Sequence, residues 1–247
     1  MLHPLIAKFE QFTRLSAEDK DAIRRATAER VRAVPAHEDV IREGEAPKAV
    51  NLILSGWACR YKLLEDGRRQ IVSFFLPGDI CDFNVFVLKS MDYSLGTLTQ
   101  VTLSELPRAA VERLTLDFPR VAQAFWWESL VNHSIQREWT LNLGQRTAYE
   151  RLGHLLCEIF LRLRAVGRAE GDSCELPLTQ AELADATGLS TVHVNRTLQE
   201  LRAAGLVALK GKTLTIPDLA ALQAATMFNT NYLHFDRSGR HLDANMG

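Results

Sequence analysis

The chain has 247 residues, 47% of them hydrophobic and 24% charged, with a formal net charge of -1. That length suits one large or two modest globular domains, and a balanced net charge leaves nucleic-acid affinity to depend on where the basic residues sit. Charges interrupt every apolar run short of the ~20 residues a membrane helix requires, so a cytoplasmic protein without a membrane partner is expected; Cys59, Cys81, Cys157 and Cys174 lie far apart, so free buried thiols and no metal site are expected.

Residues 1–30 contain Leu15, Ile23 and a capping signature, Ser16 followed by Glu18 and Asp19, which predict one or two short helices. From Val31 to about Leu106 the pattern changes to short or alternating apolar runs: Val50 to Leu54, Trp57 to Leu64, Gln70 to Leu76 and Leu95 to Leu106. Turn signals at Glu43-Gly44, Ser55-Gly56, Asp66-Gly67 and Pro77-Gly78 separate them, with glycines at intervals of 12, 11 and 11 residues. Such spacing predicts a small β sandwich or barrel, and Asp66-Gly67 predicts a hairpin.

Pro107 ends the strand pattern, and an uninterrupted helical stretch is predicted from about Phe118 to Gln145. At 100° per residue Val121, Phe125, Glu128, Asn132, Ile135, Trp139 and Leu143 share one face, while Trp127, Val131, Ser134 and Leu141 lie broadly on another. A long helix with two sticky faces predicts a dimerisation helix, the first face carrying Glu128 and Asn132 as register-setting polar residues; a long core helix of a monomer is the alternative.

The strongest local signal runs from Leu178 to Leu201, LTQAELADATGLSTVHVNRTLQEL. Thr179 and Glu182 form a capping box that starts a helix at Gln180, small Ala184 permits a close helix crossing, and Gly188 makes the turn. Ser190 caps a second helix with Val194, Leu198 and Leu201 inward. On its outward face Arg196 suits guanine, Asn195 adenine and Val192 a thymine methyl, with Thr191 beside them and His193 at the margin. Thr179, Gln180 and Ser190 sit where helix N-termini hold phosphates, and Lys210 and Lys212 tip a short hairpin, Leu206 to Ile216, that reads as a wing on the DNA backbone.

The order of these parts resembles the family of the cyclic-AMP receptor protein and the fumarate-nitrate regulator (Crp/Fnr). The resemblance is carried by Leu76-Pro-Gly-Asp79, the Trp126 to Gln145 helix, Leu178 to Ala184, Gly188-Leu-Ser190 and Val194-Asn-Arg196. It implies an α+β chain with a cyclic-nucleotide-binding-like β-roll (jelly roll) at 1–116, a dimerisation helix at 117–146 and a winged helix-turn-helix domain at 147–247. It further implies a homodimeric, sequence-specific transcription regulator that binds a pseudo-palindromic operator in double-stranded DNA and touches RNA polymerase.

The departures bear on the signal. Residues Phe75 to Asp82 and Tyr93 to Leu98 should line the sensor pocket, with Phe75, Gly78, Asp79, Ile80, Cys81, Ser94 and Leu95 as candidate ligand residues. Relatives that bind cyclic nucleotides carry an Arg that neutralises the phosphate. Here Lys89 is the only cation between Asp79 and Leu106, so cyclic AMP is not expected. The first cysteine is Cys59, which argues against the N-terminal iron-sulfur cluster of the oxygen-sensing branch, and heme ligation by Cys81, His37 or His133 is not expected either. No cofactor is therefore expected, and the small-molecule effector is left unspecified. No phosphate loop, HExxH or Gly-x-Ser-x-Gly elbow suggests an enzyme. A second reading is a small-molecule-binding module that regulates a partner protein without specific DNA binding. From Phe228 to Gly247 a tail is expected to be ordered through Phe235 and then to fray.

Overall fold

In a computed structural model, residues 3–83 and 85–235 are described. Two short helices open the chain, α1 (Pro4–Phe9) and α2 (Ala17–Ala28), the second begun by a capping box between Ser16 and Asp19. Eight strands follow: β1 (Val31–Val34), β2 (Asp39–Ile41), β3 (Val50–Ser55), β4 (Ala58–Leu63), β5 (Arg69–Phe75), β6 (Ile80–Cys81), β7 (Ser94–Thr97) and β8 (Val101–Leu106). They form two four-stranded antiparallel sheets, ordered β1-β8-β3-β6 and β2-β7-β4-β5, whose facing apolar side chains make the β-roll core. Asp66-Gly67 turns β4 into β5, as the sequence predicts.

A helix absent from the sequence reading, α3 (Arg108–Leu116), starts directly after Pro107 and buries Ala110, Val111 and Leu114. Then come α4 (Pro119–Gln145) and α5 (Ala148–Ala165), the latter begun by a Thr147–Glu150 capping box. Strands β9 (Ala169–Glu170) and β10 (Ser173–Glu175), also absent from the sequence reading, join β11 (Ala208–Lys210) and β12 (Thr213–Thr215) in a third sheet, ordered β11-β12-β10-β9. Between them lie α6 (Gln180–Thr187) and α7 (Thr191–Ala203); α8 (Leu219–Ala225) and a short 3-10 turn, Thr230–Leu233, follow. That turn packs on α4, so the order expected through Phe235 is present there; residues 236–247 lie outside the described residues. Among the described residues no helix is long and apolar enough to cross a membrane.

The three parts are bolted together by buried charge. Asp79, beside the turn before β6, takes Lys8 Nζ of α1 at 2.5 Å and Arg162 Nη2 of α5 at 2.6 Å, and its carboxylate also accepts the Leu76 amide at 2.6 Å. Lys8 also pairs with Glu128 of α4. Arg162 donates further to the Phe74 carbonyl at 2.9 Å and to Glu158 at 3.1 Å. Glu158 in turn accepts Trp139 Nε1 of α4 and Tyr232 Oη of the 3-10 turn, each at 3.0 Å. Burial alone would raise the Asp79 carboxyl, but Lys8 and Arg162 outweigh it and hold the group below the ordinary carboxylate range. Glu158 goes the other way: burial raises it, and Arg162 with the two neutral donors only partly offsets that.

Truncating one member of such a network strands its partners in a low-dielectric site. Arg162→Met is expected to cost about 3–5 kcal/mol in urea unfolding; a loss under about 1 kcal/mol would show that solvent, not Arg162, compensates Asp79 and Glu158.

His154, fully buried between α4 and the C-terminal turn, stacks on Tyr232 at 5.7 Å and lies 4.5 Å from the Phe228 ring. Arg146 donates to Asn142 Oδ1, leaving the Asn142 amide to donate to His154 Nδ1 at 3.1 Å. Burial, reinforced by Arg146, lowers the ring to about 3 from an ordinary 6.5. The unfolded chain therefore binds a proton that the folded chain refuses, and stability falls as pH drops through that window. Between pH 6.5 and about pH 5 this group contributes a slope of up to about 1.4 kcal/mol per pH unit. Urea midpoints of His154→Leu, whatever their baseline, are expected to lose that slope; an unchanged slope would assign it to another group.

Candidate nucleic-acid interface

The capping box predicted at Thr179 forms: its hydroxyl accepts the Glu182 amide at 3.2 Å, and Glu182 Oε2 accepts the Thr179 amide at 2.7 Å. Helix α6 ends at Gly188, whose φ of +65° is a left-handed conformation that a side chain would strain. Ser190 then caps α7 by accepting the His193 amide at 3.2 Å. Val194, Leu198 and Leu201 are buried against α5 and α6, so the opposite face of α7 is turned to solvent.

That face carries Thr191, Val192, Arg196, Gln199 and Glu200 exposed, with His193 and Asn195 half-buried; Val192 is 79% exposed. The polar side chains hold one another in place. Asn195 Nδ2 donates to Gln180 Oε1 at 3.3 Å, Gln199 Nε2 to Asn195 Oδ1 at 3.0 Å, and Arg196 Nη2 lies 3.0 Å from His193 Nε2. Glu200 Oε1, 3.7 Å from Arg196 Nε, steadies the guanidinium without burying it. Gln199 was not among the sequence candidates, although its place one turn after Asn195 puts it on the same face. Lys210 and Lys212 are exposed at the tip of the β11-β12 hairpin. Thr179, Gln180 and Ser190 are exposed at the N-termini of α6 and α7.

The long helix needs correcting. Val121, Phe125, Glu128, Ile135 and Trp139, expected to face a second copy, are buried in their own chain, and Asn132 is half-buried beside them, donating to Glu128 Oε1 at 3.2 Å. Phe125 is sandwiched by Phe9 at 5.4 Å and Phe83 at 4.0 Å, and Trp139 by Phe74 and Glu158. Periodicity reports that a face is apolar; here α1 and the C-terminal turn, distant in sequence, and the next helix, α5, supply its cover. On the second face Val131 and Ser134 are buried and Trp127 is half-buried, while Leu141 is exposed. Exposed residues include Trp126 (66%), Leu130 (60%), His133, Arg137, Thr140 and Gly144, at separations of 4, 3, 4, 3 and 4 residues, together with Leu141, Gln145 and Leu143 of the first face. The 4-3 spacing is that of coiled-coil a and d positions, and of the six only Trp126 and Leu130 are apolar.

The expected sensor pocket also needs correcting. Phe75 and Ile80 do line a cavity between the β-roll and α4. Gly78 instead backs onto α1, where a Cβ would meet the Pro4 carbonyl at 2.8 Å, and Asp79 is spent on Lys8 and Arg162. Ser94 accepts the Glu43 amide at 3.0 Å, while Cys81 and Leu95 are packed in the core. The sequence reading missed Arg60 of β4, which enters this cavity from outside the window searched for cations and pairs with Asp82 at 2.5 Å. Burial pushes the Cys59, Cys157 and Cys174 thiols up to about 12 and raises that of Cys81, so none presents a thiolate.

Comparisons with known proteins agree with this architecture. A model of the cyclic nucleotide-binding domain matches residues 31–117, and one of the Crp-like helix-turn-helix domain matches residues 150–225. The chain is 32% identical to the transcriptional activator protein FnrL of Cereibacter sphaeroides over 80% of its own length and 82% of that protein's. It is 29% identical to the nitrogen fixation regulation protein FixK of Bradyrhizobium diazoefficiens, over 76% and 78%. The structure of FixK2 from Bradyrhizobium japonicum superposes with a TM-score of 0.70 at 25% identity, covering 79% of this chain and 96% of that one. These relatives are transcription regulators, not enzymes. A β-roll, a long helix and a winged helix-turn-helix in one order, with a relative this similar over most of both lengths, place the chain in the Crp/Fnr family of helix-turn-helix transcription regulators.

Proposed function

We propose that the protein works as a homodimer that presents two copies of α7 to the major grooves of a pseudo-palindromic operator in double-stranded DNA. The observation that carries this reading is the pairing of two exposed features on one rigid chain: the outward face of α7 and the heptad seam from Trp126 to Gly144. Two seams packed in parallel relate the recognition helices by a two-fold axis, as a palindrome requires. Arg196 keeps its side chain two-thirds exposed while Nη2 meets His193 and Nε lies near Glu200, and a guanidinium facing solvent on this face suits bidentate capture of guanine O6 and N7. Val192 suits a thymine methyl, and Asn195 with Gln199 suits an adenine edge. Thr179, Gln180, Ser190, Lys210 and Lys212 ring the face as phosphate contacts. With few cations on this surface, a single domain binds weakly, and the dimer supplies the affinity. Contact with RNA polymerase follows the description of FnrL as an activator.

The protein is further proposed to work without cyclic AMP, heme or an iron-sulfur cluster. Arg60 Nη2 is already paired with Asp82, and the carboxylates of Asp82 and Glu128 on the walls of the same cavity oppose an incoming phosphate. The cysteines are buried in separate places in the fold, with their thiols protonated.

Arg196→Ala is expected to bind a selected operator about 1–3 kcal/mol more weakly per half-site in a fluorescence titration, while the dimer stays intact; parent-like affinity would remove α7 from the reading role. Leu130→Asp places two carboxylates across the seam and is expected to weaken dimerisation about 100-fold in sedimentation equilibrium, equivalent to about 3 kcal/mol. A Leu130→Asp protein as dimeric as its parent would place the interface elsewhere.

A further inference from the structure

Val192 is 79% exposed, and from α5 to the end of the described residues no large apolar side chain is more exposed. It is the second residue of α7, after the Ser190 cap and Thr191. Folding gives no reason for a valine there. A β-branched residue forms helix less readily than alanine, and an aspartate or glutamate would gain from the positive end of the helix dipole. A side chain so exposed adds little to the core.

Its neighbours on the same face are polar and tied to one another. Arg196, one turn on, meets His193 and Glu200; Asn195 donates to Gln180 at 3.3 Å and accepts from Gln199 at 3.0 Å. Thr191 carries a hydroxyl that rotates to donate or accept. Val192 is thus an apolar point in a face of hydrogen-bonding groups.

In the major groove the four bases present one apolar group, the C5 methyl of thymine. Methylated cytosine, 5-methylcytosine, presents the same methyl at the same place. The two pyrimidines differ in the group beside it, an acceptor O4 in thymine and a donor N4–H2 in cytosine. Valine has no hydrogen-bonding atom in its side chain and cannot tell these apart. A carboxylate at this position would accept from cytosine N4 with or without the methyl; valine responds to the methyl alone.

We infer that Val192 makes α7 a reader of C5-methylated pyrimidines: 5-methylcytosine is bound in place of thymine, and an operator with cytosine there is bound according to its methylation. Val192 and Arg196 are four residues apart, about 6 Å along the helix axis, so the methyl lies within about two base pairs of the guanine that Arg196 takes. The inference rests on α7 as the reading helix, not on the dimer.

The test titrates the full-length protein with duplexes of the operator recovered by selection, altered one methyl at a time. Deoxyuridine replaces, in turn, each thymine within about two pairs of the half-site guanine. The position that responds is then given cytosine or 5-methylcytosine opposite guanine. Each comparison changes a methyl group and leaves the hydrogen-bonding edges as they were. Loss of the thymine methyl is expected to weaken binding about fourfold per half-site, the equivalent of ~0.8 kcal/mol, and the cytosine methyl to strengthen it by the same factor. In Val192→Ala both ratios are expected to fall to near one, whatever the overall affinity of the variant; a methyl acting through DNA shape would keep its ratio there. A parent that prefers its operator yet binds thymine and deoxyuridine duplexes alike would overturn this inference alone. So would a cytosine methyl that brings no gain, or ratios that persist in Val192→Ala. A parent with no preference for any operator over scrambled DNA would overturn the reading of α7, and this inference with it.

Discussion

The ion pair between Asp79 and Arg162, 2.6 Å apart in the protein interior, is the constraint on which the rest of the arrangement depends. Arg162 belongs to the first helix of the DNA-binding unit and Asp79 to the β-roll, so the pair fixes one unit on the other. Neither charge could be buried alone, and the pair alone does not satisfy them. Lys8 supplies Asp79 with a second cation and reaches Glu128 on the long helix; Glu158 supplies Arg162 with a second carboxylate and collects Trp139 and Tyr232. Five segments, from α1 to the C-terminal turn, thus meet in one network, and each must be in place for the others to be tolerated. At the surface the same two units meet again where Arg69 pairs with Asp185 at 2.7 Å and Gln70 reaches the Ala186 carbonyl.

That rigidity gives the long helix its division of labour. Its buried faces are held by α1, α5 and the C-terminal turn, leaving one narrow exposed stripe. The seam is polar at its middle, with His133 and Arg137 between Trp126 and Leu130 at one end and Thr140, Leu141 and Gly144 at the other. In the proposed dimer, like charges near a two-fold axis would oppose association and leave Trp126 and Leu130 to carry it.

Much of this was legible in the sequence where the signals are local. The helix-turn-helix follows from a capping box, a left-handed glycine and three inward residues at helical spacing, all within 24 residues from Leu178 to Leu201, and these hold in the structure residue for residue. The β-roll follows from turn glycines at regular intervals. What was not legible depends on partners remote in the chain. Phe125 and Trp139 read as interface residues because nothing in their neighbourhood announces that Phe9 and Glu158 cover them. Arg60 carries no local signal, for its partner Asp82 is 22 residues away on another strand's edge of the cavity. Strands β9 and β10 are two and three residues long, too short for a period to show. Helix α3 did carry a signal, Pro107 followed by apolar Ala110, Val111 and Leu114, that the strand pattern before it obscured.

The central claim is that two copies of one rigid chain read DNA through α7 across a two-fold axis. It is tested most directly by selecting, from random double-stranded DNA, the fragments that the purified protein retains, and sequencing them. The account predicts a two-fold symmetric motif with a guanine in each half, the half-sites centred about one helical turn, ~34 Å, apart. Recovery of a single unpaired half-site, or of fragments without a shared sequence, would contradict it.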